Sequence, residues 1–295
     1  MAGPREHRLA TPDGDICWFE WGAPRHGAAS LLLLHATGFH ARLWDRVVAA
    51  LPAGTHVIAP DHRGHGRSYR PSTLANWVET SDVLLPLLDR LSGHPIVGGG
   101  HSMGGYILTR LASQRPAAFR HLLLIDPVIK APEDYEGQAA QPIPDPADHP
   151  IARRRNVWTS VEEMRARFAD RMPYAAWDAQ TLADYCTYGL LPAPDGEGLE
   201  LACPPALEAS VYQNALRISP HMWLPYLATP TSVVRARESD RDGEMDFSSS
   251  PTWPGLGASI GAPRDELWSD HSHFIPMEAP ARVAGLLAEL SGDQG

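Results

Sequence analysis

Ser102 sits in the run Gly98-Gly99-Gly100-His101-Ser102-Met103-Gly104-Gly105, a single hydroxyl among five glycines. The apolar Ile96-Val97 precede it, and the helix-like MGGYILTRLASQ follows. Small residues two before and two after a serine let a strand enter a helix through a strained turn. The hydroxyl then projects above the carboxyl end of the strand. A hydroxyl so placed can attack a carbonyl carbon, but only with a base to take its proton, an acid to orient that base and N–H donors for the developing oxyanion. Base candidates near the chain's end are His271 and His273 in DHSHFIPMEAP. Acid candidates are Asp240, where SVVRARESD runs out, with Asp242 close by, and Asp126 after HLLLI. Oxyanion donors are expected at the backbone of Met103, immediately after the serine, and of Thr37 in LLLLHATGFH, where Gly38 lets the chain turn. A phosphate-binding reading fails, because the glycines lack G-x-G-x-x-G spacing and no Lys-Ser or Lys-Thr follows.

These residues need a scaffold that brings several strand ends together. Up to about Pro127 the sequence alternates short apolar runs (ICWFEW, SLLLLH, HVIAPD, PIVGGG, HLLLID) with helical patterns. Among the latter, NWVETSDVLLPLLDRL should be interrupted at Pro86. Strands apolar on both faces, separated by helices, indicate a mostly parallel sheet covered on both sides, an α/β fold. Between Val128 and Ala228 the texture changes to proline, tryptophan and tyrosine, and SVEEMRARFADRM, AAWDAQTLADYCTYGLL and PPALEASVYQNALR read as helices with no strand signal. PTSVVRARESD then restores a strand, GASIGAPRDELWSD offers a weaker one, and APARVAGLLAELSG closes the chain as a helix.

At 295 residues with a hydrophobic fraction of 43%, the chain can bury a large core. The net charge of −10 argues against nucleic-acid and anionic-membrane partners. The one dense basic run, Arg153 to Arg155, reads as a solvated helix start. No run approaches the roughly 20 apolar residues of a membrane span. The start MAGPREHRLATPDGD has no apolar core of a signal peptide. Cys17, Cys186 and Cys203 are odd in number and show no C-x-x-C, as expected for reduced thiols in a cytoplasmic protein. No metal site is expected at Asp61, His62 and His65, which lack a further ligand cluster at typical spacing. No organic cofactor is implied.

Four segments, LLLLHATGFH, DHRGHGRS, GHSMGG and HFIPMEAP, together resemble the α/β-hydrolase superfamily over nearly the whole core. The resemblance implies the α/β-hydrolase fold, with residues 1–128 and 229–295 as core and 129–228 as an inserted helical cap. It favours His273 over His271, because the family's histidine directly precedes a Phe-Ile-Pro-like segment. It favours Asp240 over Asp126, because RARESD resembles the family's acid-bearing segment, although Ala236 stands where glycine is usual. It makes DHRGHGRS a structural turn. Aromatic residues of the cap and its surroundings would line an apolar pocket: His101, Phe39, Trp158, Trp177, Tyr188 and Tyr212, with Phe168, Tyr185 and Trp223 as further members, most of the cap aromatics being packing residues. The implied activity is that of a serine esterase on small to medium apolar esters, through Ser102, His273 and Asp240 with Thr37 and Met103 as oxyanion donors. Carbon–carbon bond, thioester or lactone hydrolysis would use the same residues. Epoxide hydrolases and haloalkane dehalogenases need an aspartate where Ser102 stands. A ligand-binding relative without turnover is the reading from another class. The oligomeric state is left open, a homodimer included.

Overall fold

The computed structural model describes residues 3–74, 76–91, 93–238 and 248–292. Its strands are β1 (Arg5–Leu9), β2 (Ile16–Trp21), β3 (Ser30–Leu34), β4 (Val57–Pro60), β5 (Ile96–His101), β6 (Phe119–Ile125), β7 (Val157–Trp158), β8 (Leu190–Pro192), β9 (Leu199–Leu201), β10 (Thr231–Ala236) and β11 (Asp265–Trp268). Its helices are α1 (Asp45–Ala50), α2 (Trp77–Asp82), α3 (Leu85–Arg90), α4 (Met103–Gln114), α5 (Val161–Phe168), α6 (Ala179–Tyr188), α7 (Pro205–Gln213), α8 (Leu256–Ser259), α9 (Ile275–Glu278) and α10 (Pro280–Ser291). Eight strands form one sheet in the order β1-β2-β4-β3-β5-β6-β10-β11. β2 pairs antiparallel with both β1 and β4, and every other pairing is parallel. The α/β-hydrolase architecture expected from the sequence is the one observed.

The period of two in a strand explains why the apolar runs had no polar alternation. Leu32 and Leu34 of β3 enter the core under α2, α3 and α4, while Leu31 and Leu33 enter the one under α1 and α10. Both faces are covered, so both residue sets must be apolar. Pro86, second in α3, has no N–H to donate, and the long helical pattern divides there into α2 and α3.

The stretch between β6 and β10 departs from the expectation of helices alone. It carries α5, α6 and α7, but also a small antiparallel sheet in the order β7-β9-β8. Its strands have two or three residues each, too few for a period of two to show. Its apolar side chains share a third core with Phe39 and Phe274, so the insertion packs directly on two residues adjoining Thr37-Gly38 and His273. The Arg153–Arg155 run does not start a solvated helix. It closes a 3₁₀ turn, and Arg154 is drawn inward to an ion pair with Glu208 of α7.

Candidate active site

The turn at Ser102 is built by exclusion. Ser102 joins β5 to α4 at φ 57° and ψ −120°, a conformation costing on the order of 1–3 kcal/mol for a residue with a side chain. A Cβ on Gly100 would come within 2.5 Å of the Gly104 carbonyl oxygen, and one on Gly104 would strike the Leu34 carbonyl. Only glycine lets α4 approach β3 and β5 this closely. Hydrogen bonds hold the strained peptide: the Ser102 N–H donates to the Ile125 carbonyl at 3.1 Å, and the Ser102 carbonyl accepts from Gly105 at 3.0 Å and Val128 at 3.2 Å.

His273 lies in the turn before α9, with Nε2 3.0 Å from Ser102 Oγ and Nδ1 2.6 Å from Asp126 Oδ2. A carboxylate can only accept, so Nδ1 carries the proton and the Nε2 lone pair faces the serine hydroxyl. All three side chains are buried, Asp126 completely. The turn is anchored at both sides of the imidazole. His101 Nε2 donates to the His273 carbonyl at 2.8 Å, and the Ser272 N–H donates to Glu278 at 2.9 Å. His271 does not compete, since its ring packs against Trp268 and lies 3.6 Å from Glu278.

The acid that the structure describes is the alternative the sequence left open. Asp240 and its neighbour Asp242 lie outside the described residues, and the carboxylate at His273 is Asp126. β6 and β10 are adjacent parallel strands in register, Ile125 opposite Val234, so a residue following either strand can reach the same imidazole. Asp126 is turned inward at φ 44°, its N–H donating to the Val234 carbonyl at 2.7 Å. Its other oxygen, Oδ1, accepts from the Ala236 N–H at 2.9 Å, from the Thr252 hydroxyl at 3.2 Å and from the Ser250 hydroxyl. Ser250 and Thr252 were not singled out in the sequence, where nothing marks SSSPTW as more than a polar loop.

Met103 opens α4, so its N–H has no partner within the helix and faces the positive end of the helix dipole. The Thr37 hydroxyl donates to Met103 Sδ at 3.4 Å, which brings the two expected donor residues side by side. The expected pocket residues separate into groups. Phe39, Trp177 and Tyr185 form an edge-to-face cluster with Phe274, ring centroids 5.3–5.9 Å apart. Trp158 is buried in packing against Phe168. Trp223 is a core residue against Tyr106, its indole N–H donating to Thr109. Tyr188 lies under the Arg42 guanidinium at 3.7 Å, and Tyr212 stacks on His149. His101 is buried, its Nε2 donates to the His273 carbonyl, and burial pushes its pKa well down.

Behind β3, DHRGHGRS is a bracing turn. Asp61 accepts from the Ala41 and Arg67 N–H groups at 2.7 and 2.8 Å. His62 donates Nε2–H to the His35 carbonyl, whose own ring accepts from the His62 N–H. Among the described residues no three His, Cys, Asp or Glu side chains are placed to hold a metal ion, and no helix is long and apolar enough to cross a membrane.

Comparison with known proteins places these features in context. Residues 31–286 match the Alpha/beta hydrolase family. The chain is 28% identical over 275 residues to "Lipase LipV" of Mycobacterium tuberculosis, covering 90% of this chain and 94% of that protein. It is 24% identical to "Monoacylglycerol lipase ABHD6" of Mus musculus, covering 94% of this chain and 80% of that one. Among solved structures, an E-2-(acetamidomethylene)succinate hydrolase superposes with a TM-score of 0.73 at 19% identity, covering 97% of this chain and 98% of the other. At that identity the likeness speaks for the fold alone.

Proposed function

The chain belongs to the alpha/beta hydrolase family, and we propose that it is a serine hydrolase cleaving carboxylic esters of small to medium apolar substrates. One observation carries the reading: the His273 imidazole 3.0 Å from Ser102 Oγ, held from behind by a buried carboxylate at 2.6 Å. As the Ser102 oxygen attacks the ester carbonyl, its proton passes to His273 Nε2. The imidazolium that forms is stabilised by Asp126, which keeps its charge throughout. The Thr37 and Met103 N–H groups receive the oxyanion, each donor being worth about 3–4 kcal/mol of barrier. His273 then gives its proton to the departing alcohol and draws one from water, whose oxygen attacks the acyl-enzyme and frees Ser102. Two full-length relatives bearing lipase names favour ester over other acyl substrates. The aromatic cluster of Phe39, Trp177 and Phe274 beside the oxyanion loop and His273 favours an apolar acyl or alkyl group.

The test is covalent labelling by a fluorophosphonate, together with turnover of nitrophenyl esters of increasing chain length beside a dienone ring-cleavage product. Labelling at Ser102, ester turnover and loss of both in Ser102→Ala are the expected outcomes. Full turnover by Ser102→Ala, or turnover of the dienone without that of any ester, rejects the reading.

A further inference from the structure

The loop bearing Thr37 is gripped from the insertion as well as from the core. Gly38 takes φ +79°, and a Cβ there would come within 2.7 Å of the Glu208 carboxyl carbon, so that carboxylate rests on the glycine. Glu208, on α7, is 3% exposed. Arg154 fixes it, with Nη1 donating to Glu208 Oε2 at 2.5 Å and Nη2 to the Tyr185 hydroxyl at 3.0 Å. Tyr185, on α6, completes the grip: its carbonyl accepts from His40 Nε2 at 3.3 Å and its ring meets the edge of Phe39. Three separate pieces of the insertion thereby converge on three consecutive residues, 38 to 40.

Two simpler roles for the ion pair fail. As a source of stability it is a poor device, since desolvating a carboxylate offsets most of what the pair returns, and apolar residues of similar volume serve as well. As a receptor for a substrate carboxylate it has no room. The cavity lined by Gly38, Phe39, Arg154, Tyr185 and Cys203 measures ≈ 10 Å³, space for about one water. What remains is geometry. The three atoms nearest a Cβ placed on Gly38 all belong to that carboxylate, and Gly38 immediately follows Thr37.

We propose that Glu208, held by Arg154, is a positioning residue that seats Gly38 and so fixes the direction of the Thr37 N–H toward the oxyanion. The proposal rests on the serine-hydrolase reading. Its test is the Arg154→Met/Glu208→Ala double variant of the full chain, which removes both charges and leaves none buried alone. A misdirected oxyanion donor weakens only the transition state. The expected result is a fall in kcat on a nitrophenyl ester of about tenfold or more, matched by slower fluorophosphonate labelling, with KM within about twofold. Should the double variant not fold, Glu208→Asp keeps the ion pair and withdraws the carboxylate from Gly38 by one methylene. It is expected to show the same split. An unchanged kcat in a folded variant, or a raised KM with kcat retained, overturns the proposal while leaving Ser102 labelled. A wild-type chain that neither labels nor turns over esters overturns the underlying reading and the proposal with it.

Discussion

Asp126→Asn changes one oxygen to an amide nitrogen, and the structure dictates which one. Oδ1 accepts from the Ala236 N–H at 2.9 Å, a backbone donor that cannot become an acceptor, and from two hydroxyls. The asparagine must therefore keep its oxygen there and turn its NH₂ toward His273, 2.6 Å from Oδ2 in the native chain. Facing a donor, Nδ1 has to accept, so the imidazole proton moves to Nε2 and points at Ser102. The base is then the wrong tautomer, with its folded geometry intact. In serine hydrolases generally this error lowers kcat by ~10⁴. At about 1.36 kcal/mol per factor of ten, that is about 5.4 kcal/mol of barrier. The assay is steady-state hydrolysis of a nitrophenyl ester by purified Asp126→Asn, with Asp240→Asn as the parallel variant and a thermal melt of each. Asp126→Asn is expected to melt near wild type and to lose activity by thousands-fold, while Asp240→Asn keeps it. Activity of Asp126→Asn within tenfold of wild type, with Asp240→Asn inactive, would refute the assignment of the acid.

Stability should fall on mild acidification. Burial pushes His40 and His62 down to about 3, His65 to about 4 and His35 well below its ordinary value. A base depressed in the folded state contributes its stability above its unfolded value of about 6.5 and loses it as pH falls toward 4. Between pH 7 and 5.5 the four rings together forgo on the order of a few kcal/mol. Asp61, raised by burial to about 6, offsets a smaller part of this over the same range. A melting temperature that stays flat from pH 7 to 5.5 would contradict this. Gly104→Ala sets a Cβ against the Leu34 carbonyl, backbone that cannot move without parting α4 from β3. A loss of about 3 kcal/mol or failure to fold is expected in denaturant titration, and an unshifted midpoint would show that the turn has slack.

Legibility in the sequence followed how local each constraint is. Ser102 was readable because its turn imposes glycines at fixed offsets within one segment. The sheet was readable because strands covered on both faces drop their polar residues, as in SLLLL. The acid was not, because Asp126 and Asp240 each follow a strand, and which of them meets His273 depends on how adjacent strand ends are finished. The family pattern pointed to Asp240, which lies outside the described residues. The β7–β9 sheet was invisible because its strands are shorter than any period. Glu208 was invisible too: a lone glutamate in PPALEAS acquires meaning only when α7 is laid across Gly38, far away in sequence.

The backbone bond from Ser102 to the Ile125 carbonyl joins the turn that carries the serine to the strand that ends at Asp126. Those two groups therefore ride on one stiff block of sheet and cannot drift apart without tearing parallel strands. The imidazole is carried by a separate, buried turn before α9, held by the His101 and Glu278 hydrogen bonds. The base therefore stands on a different piece of chain from the nucleophile and the acid, and its alignment depends on how that turn is seated rather than on the sheet.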